Sequence, residues 1–264
     1  MTPVVLTVAG SDSSAGAGMQ ADMKAACALR CYPLTAVTCV VCEVPGCVEG
    51  IVPMDADFVA AQVRLCLRTF PVAAAKCGML YSPEIVQAVA AELRGTHIPL
   101  VVDPVMLATA GEPLMLSEAL AAYREQLFPL ATVVTPNLDE LCCLLGCDPP
   151  DSPGALSGAA AELARRLGCA ILAKGGHLPG HECTDILVDK WGAELLRITH
   201  PRTEGISTHG TGCTLSAALA SGLAHGMPLE EATRRALRYT AAAIAHSHRF
   251  PAVCALNHTP TVEA

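Results

Sequence analysis

No stretch of the 264 residues supplies the ~18 to 20 uninterrupted apolar residues that a membrane helix needs. This holds although 52% of the chain is hydrophobic and the mean hydropathy is +0.42. The longest apolar run, Leu34–Val48, is broken by Glu43, Pro45 and Gly46. Basic clusters are also missing. With 17 basic against 25 acidic residues and a net charge of −8, the chain has no footprint for nucleic acid. A small anion held by backbone amides stays possible. The opening MTPVVLTVAG has no basic region, so it reads as a first strand and not a signal peptide; the expected location is the cytoplasm. Neither G-x-x-x-x-G-K-[ST] nor a strict G-x-G-x-x-G occurs. There is no internal repeat and no long linker, so one domain over residues 1–264 is expected, with a loosely held tail after Pro251.

Cysteine is plentiful, at 14 residues. Cys39 and Cys42 form a C-x-x-C, but on an apparent strand, where residues three apart face opposite sides. No second pair at zinc-site spacing accompanies them. In a cytosolic chain these thiols are expected to be reduced, acting mostly as small core hydrophobes.

Apolar β-rich runs alternate with helical ones. Strands are expected at Val4–Ala9, Leu34–Cys42, Ala73–Cys77, Leu100–Val102, Thr132–Val134 and Ala170–Ala173, with a hairpin of Ile186–Val188 and Leu195–Ile198 around Trp191-Gly192. Helices are expected at Gly18–Leu29, Asp55–Phe70, after Ser82-Pro83, at Ser117–Leu127, after Asn137, and at Ala155–Leu167, Thr211–Ala224 and Leu229–His246. Cys147–Gly158 reads as a surface loop. The alternation predicts an α/β fold, a three-layer sandwich with a mostly parallel central sheet and helices on both faces. In such sheets ligands bind beyond the C-terminal strand ends.

Four loops there carry chemistry. The run Ala9–Asp22 follows a strand and opens a helix; its small residues suit close approach to a ligand, and Gly10 and Asp22 stand at its two ends. A plain glycine turn is the equal alternative. Thr208-His209-Gly210-Thr211-Gly212-Cys213-Thr214 opens another helix and suits an oxyanion or a transferring phosphate. Its helix-start position predicts a lowered Cys213 thiol pKa. Asn137 and Glu140, three apart, are hard-oxygen candidates for a water-bridged Mg²⁺, although their spacing fits a capping box better. Lys174 before Gly175-Gly176, and Asp103 before Pro104, end buried strands; each is either a phosphate- or metal-side charge or an ordinary strand terminus.

AGSDSSAGAGMQADMK, DFVAAQ, KCGML, DPVM, TPNLDE, KGGH and THGTGCTLSAALA, in that order, resemble the hydroxymethylpyrimidine/phosphomethylpyrimidine kinases of thiamine biosynthesis, of the ribokinase superfamily. The resemblance runs from about Val5 to His246. It implies ATP-dependent phosphorylation of 4-amino-5-hydroxymethyl-2-methylpyrimidine and then of its monophosphate, with Mg²⁺, in a homodimer. It assigns Gly210, Thr211, Gly212 and Cys213 to the anion hole, with Cys213 as base or proton relay and Lys174 neutralising charge. Asp103, Asn137, Glu140, Lys174 and Thr208 fall on the ATP/Mg side; Gly10, Asp22, Glu43 and Met79 fall on the pyrimidine side. Three positions depart from the family pattern: Glu43-Val44 stands where Gln-Asn is usual, and Ala15 where a glycine is usual. The alternatives are a pyridoxal or pyridoxine kinase, or a non-catalytic pyrimidine-binding protein on the same fold.

Overall fold

A computed structural model describes residues 1–106, 114–203 and 209–260. Strand β1 (Val4–Asp12) leads into helix α1 (Gly18–Ala28), followed by β2 (Tyr32–Val44), β3 (Cys47–Pro53), α2 (Ala56–Thr69), β4 (Val72–Cys77), α3 (Pro83–Leu93) and β5 (Leu100–Val102). Then come α4 (Ala119–Ala122), β6 (Val133–Val134), α5 (Leu138–Leu145), α6 (Pro153–Leu167), β7 (Ala170–Ala173) and the hairpin of β8 (Glu182–Val188) and β9 (Glu194–Pro201). Helices α7 (Thr211–Ala224) and α8 (Leu229–Ala245) and the short pair β10 (His248–Arg249) and β11 (Cys254–Ala255) follow.

Nine strands form one sheet in the order β3-β2-β1-β4-β5-β6-β7-β8-β9. The β2-to-β7 block is parallel; β3, β8 and β9 join antiparallel. Because strand side chains alternate, each central strand feeds two cores. Val4, Leu6, Val8, Ala75, Cys77, Leu100, Val102, Val134 and Ile171 pack with α2–α6. Val5, Ala74, Val101, Val133, Ala170 and Leu172 pack with α1, α7 and α8. A fully buried leucine such as Leu6 stabilises the fold by about 1.5–3 kcal/mol.

Several boundaries move. The edge strand β3 was not expected; Pro45-Gly46 is its turn, with Gly46 at φ 87°. Helix α6 starts at Pro153, capped by the Ser152 hydroxyl accepting from Ala155 N–H, so the surface loop stops there and does not reach Gly158. The Ser117–Leu127 helix is one α turn followed by the π-type turn Tyr123–Leu127. The described tail to Pro260 is tied down, contrary to expectation: β11 pairs with β10, Tyr239 Oη donates to the His258 carbonyl at 2.6 Å, and the His258 ring meets Thr214 Oγ1 at 2.9 Å. Cys39 is buried and Cys42 exposed, the opposed pair the strand reading requires, and both are free thiols.

Candidate active site

Thr7, Lys76, Asp103, Thr135 and Lys174 continue the alternation of Val5, Ala74, Val101, Val133 and Leu172. All five therefore project from the C-terminal half of the sheet toward the α1/α7 layer. The sequence makes this face apolar along its length and charged at one end. Lys174 Nζ lies 3.0 Å from Asp103 Oδ1 and 3.8 Å from Glu140 Oε2. Asp103 also accepts from Thr135 Oγ1 at 3.0 Å and Ser216 Oγ at 3.4 Å. Burial opposes ionisation of Asp103, but Lys174 and Lys76 hold its pKa below the ordinary value.

The N-terminus of α7 closes over this row. A Cβ on Gly212 would sit 3.2 Å from Lys174 Nζ and 3.3 Å from Asp103 Oδ2, so bare backbone lets the first turn reach the charges. Gly210, at φ +80°, packs so close to the first loop that a Cβ would meet the Gly16 carbonyl oxygen at 1.9 Å. The first-turn amides of a helix lack intrahelical partners and favour an anion. Cys213 lines the cavity in that turn. Its thiol is not lowered as the helix-start position suggested. Desolvation by the surrounding walls, reinforced by Asp22 and Asp103, outweighs Lys76 and pushes it up to about 12. Although half-buried by surface area, the sulfur stays protonated near neutral pH.

A cavity of about 570 Å³ runs along these strand ends. Toward β2 its wall holds Gly10, Val41, Glu43, Met79, Val105 and Leu114. Gly10 is bare where a Cβ would lie 2.8 Å from Cys39 Sγ. Toward β7 the wall holds Asn137, Glu140, Cys143, Lys174, Gly176 and Arg202. The expected site residues Gly10, Glu43, Met79, Asp103, Asn137, Glu140, Lys174, Gly210, Thr211, Gly212 and Cys213 thus share one cavity. Thr208 lies outside the described residues.

Two expectations change in detail, those for Asp22 and the first loop, while the capping box that the Asn137–Glu140 spacing suggested is met. Asp22 is not in the cavity wall; it sits 2% exposed behind Lys76, accepting from Thr7 Oγ1 and from Lys76 Nζ at 2.9 Å. The first loop does not offer its amides to a ligand. Ser14 N–H, Gly16 N–H and Ala17 N–H donate to Asp12 at 2.7, 3.0 and 2.7 Å, so the nest is filled by a side chain of its own loop. Asn137 and Glu140 form a complete capping box, each side chain accepting from the other's backbone N–H at 2.9 and 2.8 Å. Burial, aided by Asp103 and opposed by Lys174, nevertheless pushes Glu140 up to about 7.

Three important residues were not singled out from sequence. Lys76 reaches the cavity from β4, and its signal was a lysine inside an apolar strand. Asp12 and His209 meet at 2.9 Å across 197 positions, joining the first loop to the turn that opens α7. Burial would raise Asp12, but the bonds from His209, Ala17 and Ser14 hold it at about 2.

The family model for phosphomethylpyrimidine kinase matches residues 12–256. The chain belongs to the phosphomethylpyrimidine kinase family. It is 43% identical over 256 residues to the hydroxymethylpyrimidine/phosphomethylpyrimidine kinase of Rhizobium meliloti, covering 94% of this chain and 93% of that one. Among solved structures, an ADP complex of Bacillus subtilis pyridoxal kinase superposes with a TM-score of 0.89 at 34% identity, covering 98% of each chain. The phosphomethylpyrimidine kinase of Clostridium difficile gives 0.79 at 33% identity, covering 92% of this chain and 99% of that one. The phosphomethylpyrimidine kinase fold is thus shared with pyridoxal kinases. One family departure has a visible geometry: Ala15 sits at φ +57°, in the left-handed region that a glycine enters without strain.

Proposed function

We propose that the chain transfers the γ-phosphoryl group of ATP to the hydroxymethyl oxygen of 4-amino-5-hydroxymethyl-2-methylpyrimidine, and then to the phosphate of the product. The observation that carries this reading is the shared cavity. An apolar pocket with one carboxyl, Glu43, opens beside the first turn of α7 and the Asp103–Lys174 pair. The pocket takes the ring, and the charged end takes the phosphates.

In transfer, the substrate oxygen bonds to the γ-phosphorus as the bond to the β-phosphate oxygen breaks and ADP leaves. The transition state is loose, so the hydroxyl gives up its proton late and positioning dominates. Cys213, a protonated thiol, accepts the hydroxyl's hydrogen bond on its sulfur and relays the proton, passing its own S–H proton to an oxygen of the transferred phosphoryl group as it takes up the hydroxyl's, while the nearby Lys76 ammonium eases the passing charge on the sulfur. The α7 amides stabilise the equatorial oxygens, and Lys174 neutralises charge building toward the β-phosphate.

The charge balance fits a divalent cation at the other end. Asp103 and Glu140 set two carboxylates against the Lys174 ammonium, the charge of Lys76 being matched by Asp22, and Glu140 is pushed up to about 7. Mg²⁺ would be held there by Glu140 and Asp103 through waters, beside Asn137, and would supply charge neutralisation to the β- and γ-phosphates. A homodimer is supported by a one-sided apolar strip on the sheet edge, where Val40, Val44 and Val52 are 47%, 51% and 63% exposed. Val40 and Val52 are direct cross-strand neighbours.

The test is product identification by mass after incubation with ATP, Mg²⁺ and either the pyrimidine alcohol or its monophosphate. Monophosphate from the first and diphosphate from the second are expected. Product from neither alcohol nor monophosphate contradicts the reading.

A further inference from the structure

Glu43, last but one in β2, stands at the cavity wall. The Ser13 hydroxyl holds its backbone from both sides, accepting from the N–H at 2.9 Å and donating to the C=O at 2.8 Å, which fixes where the side chain starts. The carboxyl is half-buried, and no described residue hydrogen-bonds to it. Apolar Val41, Met79 and Leu114 stand around it in the wall.

Its charged neighbours can be enumerated element by element. An oxygen of Glu43, one of Asp12 on β1 and a ring nitrogen of His209 before α7 lie within 4.8 Å of one another. Asp12 is saturated by Ser14, Gly16, Ala17 and His209 and is held ionised at about 2, so the trio is a carboxyl pair and not a cation site. On β2 itself, Cys39 is buried with its thiol pushed up to about 11, hence neutral. On β3 the residue opposite is Val48, and Glu49 meets Cys42 on the exposed side. When one of two adjacent carboxyls is locked ionised, the other takes up protons more readily. Burial first and Asp12 second raise Glu43, with His209 opposing.

A 4-aminopyrimidine presents an exocyclic N–H donor next to a ring nitrogen, the edge of an amidine. A carboxyl matches that edge with two parallel hydrogen bonds only when one proton is shared between them. An ionised carboxylate against an unprotonated ring would set two lone pairs face to face in an apolar wall. A carboxamide at the same position makes both bonds with no extra proton.

We propose that Glu43 binds the ring as a proton-sharing carboxyl–amidine pair, so that the site takes up a proton from solvent each time it takes up an aminopyrimidine. This rests on the ring-pocket assignment made under the proposed function. It makes Glu43 a specificity-determining residue that favours a basic, amidine-edged ring.

The experiment is calorimetric titration of 4-amino-5-hydroxymethyl-2-methylpyrimidine into the full chain at pH 8, in buffers of different protonation heat. Binding is repeated across pH 6.5–9 for wild type and Glu43→Gln. Wild type is expected to take up close to one proton per site, about a tenfold loss of affinity following each pH unit on the alkaline side. Glu43→Gln is expected to bind with no uptake and a flat profile. Pyrimidine binding to wild type without proton uptake overturns the inference alone. Absence of pyrimidine binding to both proteins overturns the ring-pocket assignment and the inference with it.

Discussion

Lys76 Nζ lies 2.9 Å from both carboxylate oxygens of Asp22, with each side chain 1% exposed, between the sheet and α1. Burial disfavours the ammonium, yet Asp22 outweighs that cost and holds the Lys76 pKa above its ordinary value. Burial raises the Asp22 carboxyl, but with the Lys76 ammonium 2.9 Å from both its oxygens the pair is charged, and Lys76 shares the cavity wall with Cys213.

Removing one partner leaves a buried charge without compensation. Lys76→Met is expected to destabilise by about 3–5 kcal/mol, and adding Asp22→Asn should return most of that loss. Urea unfolding of the two single variants and the double variant checks it. Activity stays low in the double variant, because the cation beside Cys213 is gone.

Cys213→Ala is expected to lower kcat by about 10²–10⁴-fold with a smaller change in KM, as for loss of a proton-transfer group. Wild-type Cys213 should resist alkylation at pH 7–8, since its thiol is pushed up to about 12. Timed labelling followed by peptide mass analysis reports it. Rapid labelling of Cys213 at pH 7 contradicts the burial argument.

Ala15 holds φ +57°, a strain of roughly 1–2 kcal/mol for an L-residue. Ala15→Gly relieves it, against about 0.5–1 kcal/mol of extra unfolded-state entropy. A net gain of about 0.5–1 kcal/mol, seen as a higher Tm, is expected.

His258 anchors the tail through Thr214 at 2.9 Å. Burial, with Lys24 as a second cause, lowers it from the ordinary 6.5 to about 4. As pH falls, the unfolded chain is protonated first. The stabilising contribution is therefore complete above pH 6.5 and is lost between 6.5 and about 4. His258→Gln should flatten this part of the stability–pH curve by about 1–3 kcal/mol in denaturant titrations.

The parallel core of the fold was legible because Val4–Ala9, Leu100–Val102 and Ala170–Ala173 are short apolar runs between helical ones. Strand β3 was not, because an edge strand exposed on both sides, with Glu49 and Gly50 inside it, has no buried periodicity. The site was legible where its residues stand in local motifs, as in Gly210–Cys213 or Asn137–Glu140. Asp12 and His209 were not, since their meaning arises only when positions 197 apart come to 2.9 Å. The Cys213 thiol was misjudged for the same reason. A helix start is visible locally, whereas the walls that desolvate the sulfur come from distant strands.

Ring choice is the most direct test of the central claim. The pyrimidine alcohol and pyridoxal compete in one reaction with limiting enzyme, ATP and Mg²⁺, and the two phosphorylated products are counted by mass to give the ratio of kcat/KM values. The expected result is a ratio of about tenfold or more for the pyrimidine, about what the net worth of one hydrogen bond supplies. A preference for pyridoxal, or phosphorylation of neither, contradicts the claim.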